Sequence, residues 1–193
     1  MKIKYKTNRS LRFFLGIIVL LLTALIAVNG TKAVLKSIYP LKYKEYVYRY
    51  SSRNNLNPYL VFAIIKAESN FDPLATSNKK AKGLMQITDE TGEWIARRLK
   101  MEKYSADYLY NPETNISMGC WYLGWLMKQF NDIDLVIAAY NGGHGNVNEW
   151  LKDRNLSSSG ISLEKIPFKE TQNYLKRVRK NLYIYKKLYE KNY

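Results

Sequence analysis

From Phe13 to Val28 the chain carries no charge and one polar side chain, Thr23. The run is shorter than the roughly 20 residues of a typical spanning helix, although Asn29 to Ala33 can extend it. Beyond Pro40 the pattern changes to a helical period. Tyr43, Tyr46, Val47 and Tyr50 follow i, i+3, i+4, i+7, one helix face. Asn57-Pro58 and Asn111-Pro112 each place a capping side chain before a proline at the first helical position. The first opens a helix with the stripe Leu60, Val61, Ile64, Ile65; the second opens one with Ile116, Cys120, Leu123, Met127 and Phe130. Thr88 is expected to cap a helix holding Ile95 and Leu99, and Asp134 to Tyr140 to form a short helix stopped at Gly142-Gly143. Val147, Trp150 and Leu151 suggest another short helix, and Asn155 to Gly160 a polar loop. Pro167 is expected to start a last helix carrying Tyr174, Val178, Tyr185 and Leu188. No convincing alternating strand and no internal repeat is present, so the prediction is all-α.

Charge divides the picture further. Of the net +15, residues 1–12 hold +5, residues 169–193 hold +6, and the long middle holds only +4. Basic residues Lys2, Lys4, Lys6, Arg9 and Arg12 before the apolar run fit a signal peptide or an uncleaved signal anchor. Under either reading the chain beyond it lies outside the cytoplasm, with Lys2 to Arg12 inside. The expected organisation is 1–30 signal anchor or signal peptide, 31–40 linker (Thr31 to Pro40), and 41–193 a single helical domain. The expected location is the cell membrane, single-pass through residues 13–28, or secreted if the segment is removed. The basic last helix, interleaved with Tyr183, Tyr185 and Tyr189, then points to anionic lipid or wall polymers, or is simply solvated. Export weighs against nucleic acid as its partner.

Composition narrows the chemistry. One cysteine and one histidine exclude an internal disulfide and leave zinc or iron–sulfur sites without ligands, so neither metal nor cofactor is expected. Gly142-Gly143-His144-Gly145 lacks the Lys-Ser/Thr of a phosphate loop. The residue that stands out is Glu68. Leu60, Ile64 and Glu68 step by four, so the carboxyl extends an apolar stripe near a helix C-terminus, where the macrodipole disfavours negative charge. Both effects raise its pKa, and a carboxyl still protonated near neutral pH can donate to a leaving group. Spacing alone equally allows a glutamate paired with a lysine or capping a neighbouring helix.

Five blocks in order carry a resemblance: Ala67-Glu68-Ser69-Asn70-Phe71-Asp72-Pro73; Gly83-Leu84-Met85-Gln86-Ile87; Asn115-Ile116 with Gly119, Tyr122 and Leu123; Ala138-Ala139-Tyr140-Asn141-Gly142-Gly143; and Pro167-Phe168-Lys169-Glu170-Thr171-Gln172-Asn173-Tyr174. From about Pro40 to about Tyr189 the chain resembles the lysozyme-like lytic transglycosylase family. The resemblance implies a goose-lysozyme-like helical domain with a saccharide cleft. It implies cleavage of the β-1,4 bond between N-acetylmuramic acid and N-acetylglucosamine in peptidoglycan glycan strands, with a 1,6-anhydro product. Glu68 would act as acid and then base, a scheme that needs one essential carboxylate; Asp72, Asp89 and Glu90 match no catalytic position. Ser77, Met85, Gln86, Tyr140, Asn141 and Glu170 would be the substrate-binding residues, with Tyr140 placing its hydroxyl near Glu68. The same residues also have plainer readings: a loop cap for Ser77, core packing for Met85 and Tyr140, a turn cap for Asn141, and a tie of the last helix for Glu170. Lys79, Lys80 and Lys82 stand where the family often has Gly-Ala before the second block, at the expected cleft rim, and Gln172 where arginine is common. Two rivals keep the fold, a muramidase that uses water and a non-catalytic peptidoglycan-binding scaffold. A third, a nucleic-acid-binding membrane protein, has only charge in its favour.

Overall fold

The computed structural model describes residues 9–190, so the start of the basic stretch, Lys2 to Lys6, lies outside the described residues. The chain separates into two compact units at Pro40–Leu41. The first holds one helix, α1 (Arg9–Ile38), of 30 residues. It continues through Thr31–Ile38, where a linker was expected. Phe14, Leu20, Leu21 and Ile26 on it are all more than half exposed. Among the described residues no helix is long and apolar enough to cross a membrane; the side chains at 24, 27 and 28, inside the apolar run, are not among those described.

The second unit is helical throughout: α2 (Lys44–Arg53), α3 (Pro58–Glu68), α4 (Asp89–Arg98), a 3₁₀ turn at Ala106–Tyr110, α5 (Pro112–Phe130), α6 (Ile133–Gly142), α7 (His144–Lys152) and α8 (Lys169–Tyr189). Among the described residues there are no strands, only isolated bridges such as Lys82 to Ile87. The helix starts follow the capping chemistry. Asn57 Oδ1 accepts from the Tyr59 amide at 2.8 Å, and Asn111 Oδ1 from Thr114 at 3.0 Å, each with a proline just inside the helix. Thr88 caps α4 and Asp132 caps α6. The last helix begins at Lys169 with Phe168 at its cap position, two residues beyond the expected Pro167.

Helix α3 is the centre of the unit. Leu60 through Ile65 are all buried, and a helix apolar on every side must be covered on every side. It packs against α2 and α8. Helix α8 turns Thr171, Tyr174, Val178, Asn181 and Tyr185 inward, leaving its lysines and arginines outside. Phe62 and Tyr185 stack at 5.6 Å, and the Asn181 amide donates to the Ala63 carbonyl at 3.2 Å. Helix α5 packs against α2, α4 and α6, and α6 against α7 and α8. The outcome is a fixed seat for the end of α3, which is where Glu68 sits.

Candidate active site

Glu68 is the last residue of α3. The next residue locks that end in place: Ser69 Oγ donates to the Leu84 carbonyl at 2.8 Å and accepts from the Phe71 amide at 3.1 Å. The helix terminus is thereby fastened to the loop Gly83-Leu84-Met85-Gln86. That loop turns at Gly83, φ 72°, where a side chain would strike the Leu109 carbonyl and the Asn115 amide. Gln86 holds φ 49°, a conformation that costs a non-glycine residue about 1 kcal/mol or more. Its own side chain offsets this, Nε2 donating to Gly83 O at 2.9 Å and Ala75 O at 3.0 Å.

Under the loop lies Asn115, fully buried. Its Oδ1 accepts from the Met85 amide at 2.7 Å, and its Nδ2 donates to Lys82 O at 3.0 Å and Leu109 O at 2.8 Å. A buried side-chain amide with a partner for each of these groups is a strong positional tie, because losing any one leaves an unpaired group in the core. Met85 itself does not line the cleft. Its side chain is fully buried against the bare backbone of Gly119 on α5, so its core reading is the one the packing supports.

Tyr140, on α6, donates its hydroxyl to the Met85 carbonyl at 2.8 Å. The hydroxyl that reaches the acid belongs to Tyr174 of α8, which donates to Glu68 Oε1 at 2.7 Å. Tyr140 lies near enough to Glu68 to feel its charge, while the direct hydrogen bond to the carboxyl comes from Tyr174, a residue that the helical pattern marks only as one position of the last helix's stripe. The signal available was its place at the end of the fifth block; the contact joins residues 106 positions apart, which no local pattern encodes.

The environment of Glu68 sets its charge. Burial pushes its carboxyl up from 4.5 to about 7, and the Glu170 carboxylate adds to the rise, while the Tyr174 hydrogen bond and the Arg177 guanidinium oppose it. With Oε1 accepting from Tyr174, Oε2 is the oxygen left to carry the proton of the neutral carboxyl. Tyr174 and Tyr140 are themselves held well above the usual tyrosine range by burial and by the facing carboxylate, so both remain donors.

A cleft of about 380 Å³ opens over this carboxyl, lined by Glu68, Ser77, Lys79, Gln86, Thr88, Tyr140, Asn141 and Glu170 among others. Six of the seven expected residues therefore meet in one place, Met85 being the exception. Ser77 also accepts from the Ala81 amide at 3.1 Å, so it caps its loop while facing the cleft. Asn141 Oδ1 accepts from the Thr171 hydroxyl at 2.9 Å. Glu170 bridges the rim to Lys79 at 3.2 Å, both side chains more than two-thirds exposed. Lys82 turns away to Asp89 at 2.9 Å and Asp107 at 3.9 Å and is not a rim residue. Asp72 is spent on a turn, accepting from the Leu74 amide at 2.9 Å. Among the described residues no group of three or more His, Cys, Asp or Glu is placed to hold a metal ion.

The chain has relatives in sequence and in fold. Residues 45–159 match the family model described as the Transglycosylase SLT domain. The chain is 35% identical over 147 residues to the soluble lytic murein transglycosylase of Escherichia coli K12, covering 75% of this chain and 23% of that protein. It is 37% identical over 116 residues to the membrane-bound lytic murein transglycosylase C of Serratia proteamaculans, covering 55% and 32%. The chain thus spans about a quarter to a third of the length of these relatives. The crystal structure of the 70 kDa soluble lytic transglycosylase from Escherichia coli superposes with a TM-score of 0.74 at 33% identity, over 81% of this chain and 26% of that one. Glu170, Thr171 and Tyr174 lie beyond the stretch matched by the family model.

Proposed function

Because the chain belongs to the Transglycosylase SLT domain family, we propose that it is a peptidoglycan lytic transglycosylase in which Glu68 is the acid and then the base. The observation that carries the reading is a half-buried carboxyl at about pH 7, pinned on one oxygen by Tyr174 and facing a cleft large enough for sugar rings. The proton on Oε2 passes to the glycosidic oxygen between N-acetylmuramic acid and N-acetylglucosamine as that bond breaks. The resulting carboxylate then takes the proton of the muramyl 6-hydroxyl as its oxygen bonds to C1 of the same sugar. The 1,6-anhydro product forms and Glu68 is again protonated, so one carboxylate serves both halves. A two-carboxylate hydrolysis needs a second acid placed for water or for C1; the other carboxylate of the cleft, Glu170, is exposed and paired with Lys79. Ser77, Gln86, Tyr140, Asn141 and Glu170 are the substrate-facing set in this reading, and Met85 acts from beneath through its backbone.

The same proposal places the protein at the cell envelope, residues 41–193 forming the catalytic domain. Helix α1, with its exposed apolar side chains and the basic residues before them, is read as a membrane attachment through residues 13–28, by which the catalytic domain is held outside the cytoplasm. Exposed Lys169, Lys176, Lys180 and Lys187 of α8 are read as a face for anionic lipid or wall polymer.

The test uses the full chain and its Glu68→Gln variant on purified peptidoglycan sacculi, with the released fragments weighed by mass spectrometry. Anhydro-ended muropeptides from the unaltered chain only are expected. Reducing ends, one water heavier, would make it a muramidase on the same fold. No fragments from either, with sacculi still bound, would make it a binding scaffold.

A further inference from the structure

Three residues of α8 stand on one line. Glu170, Tyr174 and Arg177 are spaced i, i+4, i+7, which puts them on one face of a helix. The middle one donates to Glu68 Oε1 at 2.7 Å. Helix α8 is pinned on both sides of that bond. One turn earlier the Thr171 hydroxyl donates to Asn141 at 2.9 Å, and two turns later the Asn181 amide donates to the Ala63 carbonyl at 3.2 Å. These bonds fix the helix and leave unset the rotation of the Tyr174 ring about its own side-chain bonds. The Arg177 guanidinium lies over that ring, 5.6 Å from its centre, within the reach of a cation–π contact. Arg177 is exposed, and among the described residues it forms no ion pair, whereas Arg179, two positions on, is turned to Asp134 at 2.8 Å.

The cation acts on the Tyr174–Glu68 bond from both ends. Over the ring face it draws electron density from the phenol, which strengthens the hydroxyl as a donor. Burial holds Tyr174 well above the usual tyrosine range, and Arg177 pulls the other way. Toward the carboxyl it is a positive charge, which favours the ionised form. Burial has the largest effect on Glu68 and raises it to about 7; Arg177 works against that rise, and Glu170, at the other end of the line, adds to it. The other groups about the carboxyl are committed elsewhere. Tyr140 of α6 donates to the Met85 carbonyl, Lys79 at the rim meets Glu170, and Lys66 of α3 donates to Asn70. A single carboxyl that gives a proton and then takes one must bind it neither too weakly nor too tightly.

From this line we infer that Arg177 is a positioning residue for Glu68: lying on the Tyr174 ring, it keeps the hydroxyl on Oε1 and steadies the carboxylate formed when the proton has passed to the leaving group. The inference rests on the reading of Glu68 as acid and then base.

The experiment reads Glu68 directly, apart from turnover. The full chain is labelled with carbon-13 at its glutamate carboxyls, the Glu68 resonance is identified as the one that Glu68→Gln removes, and its titration is followed by NMR. Arg177→Gln is expected to move the midpoint upward by about half a pH unit and to lower anhydro-muropeptide release at the optimum about threefold. Arg177→Lys, which keeps the charge but not the planar guanidinium, is expected to fall between that variant and the parent. Glu170→Gln is expected to move the midpoint downward. Added to Tyr174→Phe, Arg177→Gln is expected to move it by less, because the hydroxyl it holds is gone. A midpoint that stays in place in Arg177→Gln overturns the inference. So does an upward move in Glu170→Gln, which would make the response a general loosening of α8. An undiminished move in the Tyr174→Phe background would leave Arg177 a distant charge and overturn the positioning role. Release of anhydro ends by the unaltered chain tests the transglycosylase reading separately, so the expected shifts without release would support the α8 line and overturn only the activity.

Discussion

The floor and the rim of the cleft each present a glutamate, and the two behave as different chemical groups. At the floor, Glu68 is half-buried, fixed by Tyr174, and raised to about 7. At the rim, Glu170 is exposed and meets Lys79 across open solvent, where an ion pair contributes little. The polar groups around Glu68 at the floor are bound to backbone: Ser69 to Leu84, Tyr140 to Met85, Gln86 to Gly83, Asn115 to three separate partners. The rim is made of side chains reaching toward side chains. Residue type does not decide the role; the supports beneath the residue do.

Four substitutions bear on that contrast, in falling order of effect. Glu68→Gln is expected to remove turnover by about a hundredfold to ten-thousandfold, measured as anhydro-muropeptide release. It should also change stability with a definite pH dependence. Between 4.5 and about 7 the unfolded chain gives up this proton while the folded chain retains it, so the native state loses stability as pH rises through that window. The glutamine variant escapes the loss. It should gain on the order of 1–3 kcal/mol at about pH 8 and nothing at about pH 4, read by thermal denaturation. A gain that is the same at both pH values would place Glu68 among ordinary surface acids and erase the contrast.

Asn115→Ala comes next, with a destabilisation of about 3 kcal/mol or more from the backbone groups left unpaired in the core, read as a drop in denaturant midpoint. Tyr174→Phe should preserve the fold and act on the acid. It removes a bond that lowers the Glu68 pKa, so the alkaline limb of the pH–rate profile should move upward from about 7, with a loss at the optimum of about tenfold. A downward move would mean that Tyr174 does not donate to the carboxylate. The smallest effect belongs to Lys79→Ala, expected within about 0.5 kcal/mol in stability. A large loss there would give the rim a structural duty that its exposure denies.

How much of this could be read along the chain follows the same divide. Helix starts at Asn57, Thr88 and Asn111 were legible because a cap and its helix are neighbours in sequence, and the i, i+4 stripe brought Glu68 into view. The end of the first helix was misjudged: Thr31–Ile38 has no breaker before Pro40, and the apolar pattern fades while the backbone stays helical. Met85 carries a cleft reading and a core reading in the sequence, and Tyr174 stands there only as a position of the last helix and of the fifth block. Both depend on what packs opposite: the bare backbone of Gly119 swallows the methionine, and α8 delivers the tyrosine from the far end of the chain.

Helix α8 is more than the last wall of the bundle. Its first two turns furnish Glu170, Thr171 and Tyr174, which reach the rim, Asn141 and the acid in turn. A shortened protein ending before residue 169 would retain Glu68 and every block upstream of it. It would also lay open the apolar side of α3 and leave Oε1 without its donor. Any engineered minimal version, and any fusion that pulls on the C-terminus, must therefore treat those twenty-one residues as part of the setting that holds Glu68 and not as a tail to be trimmed.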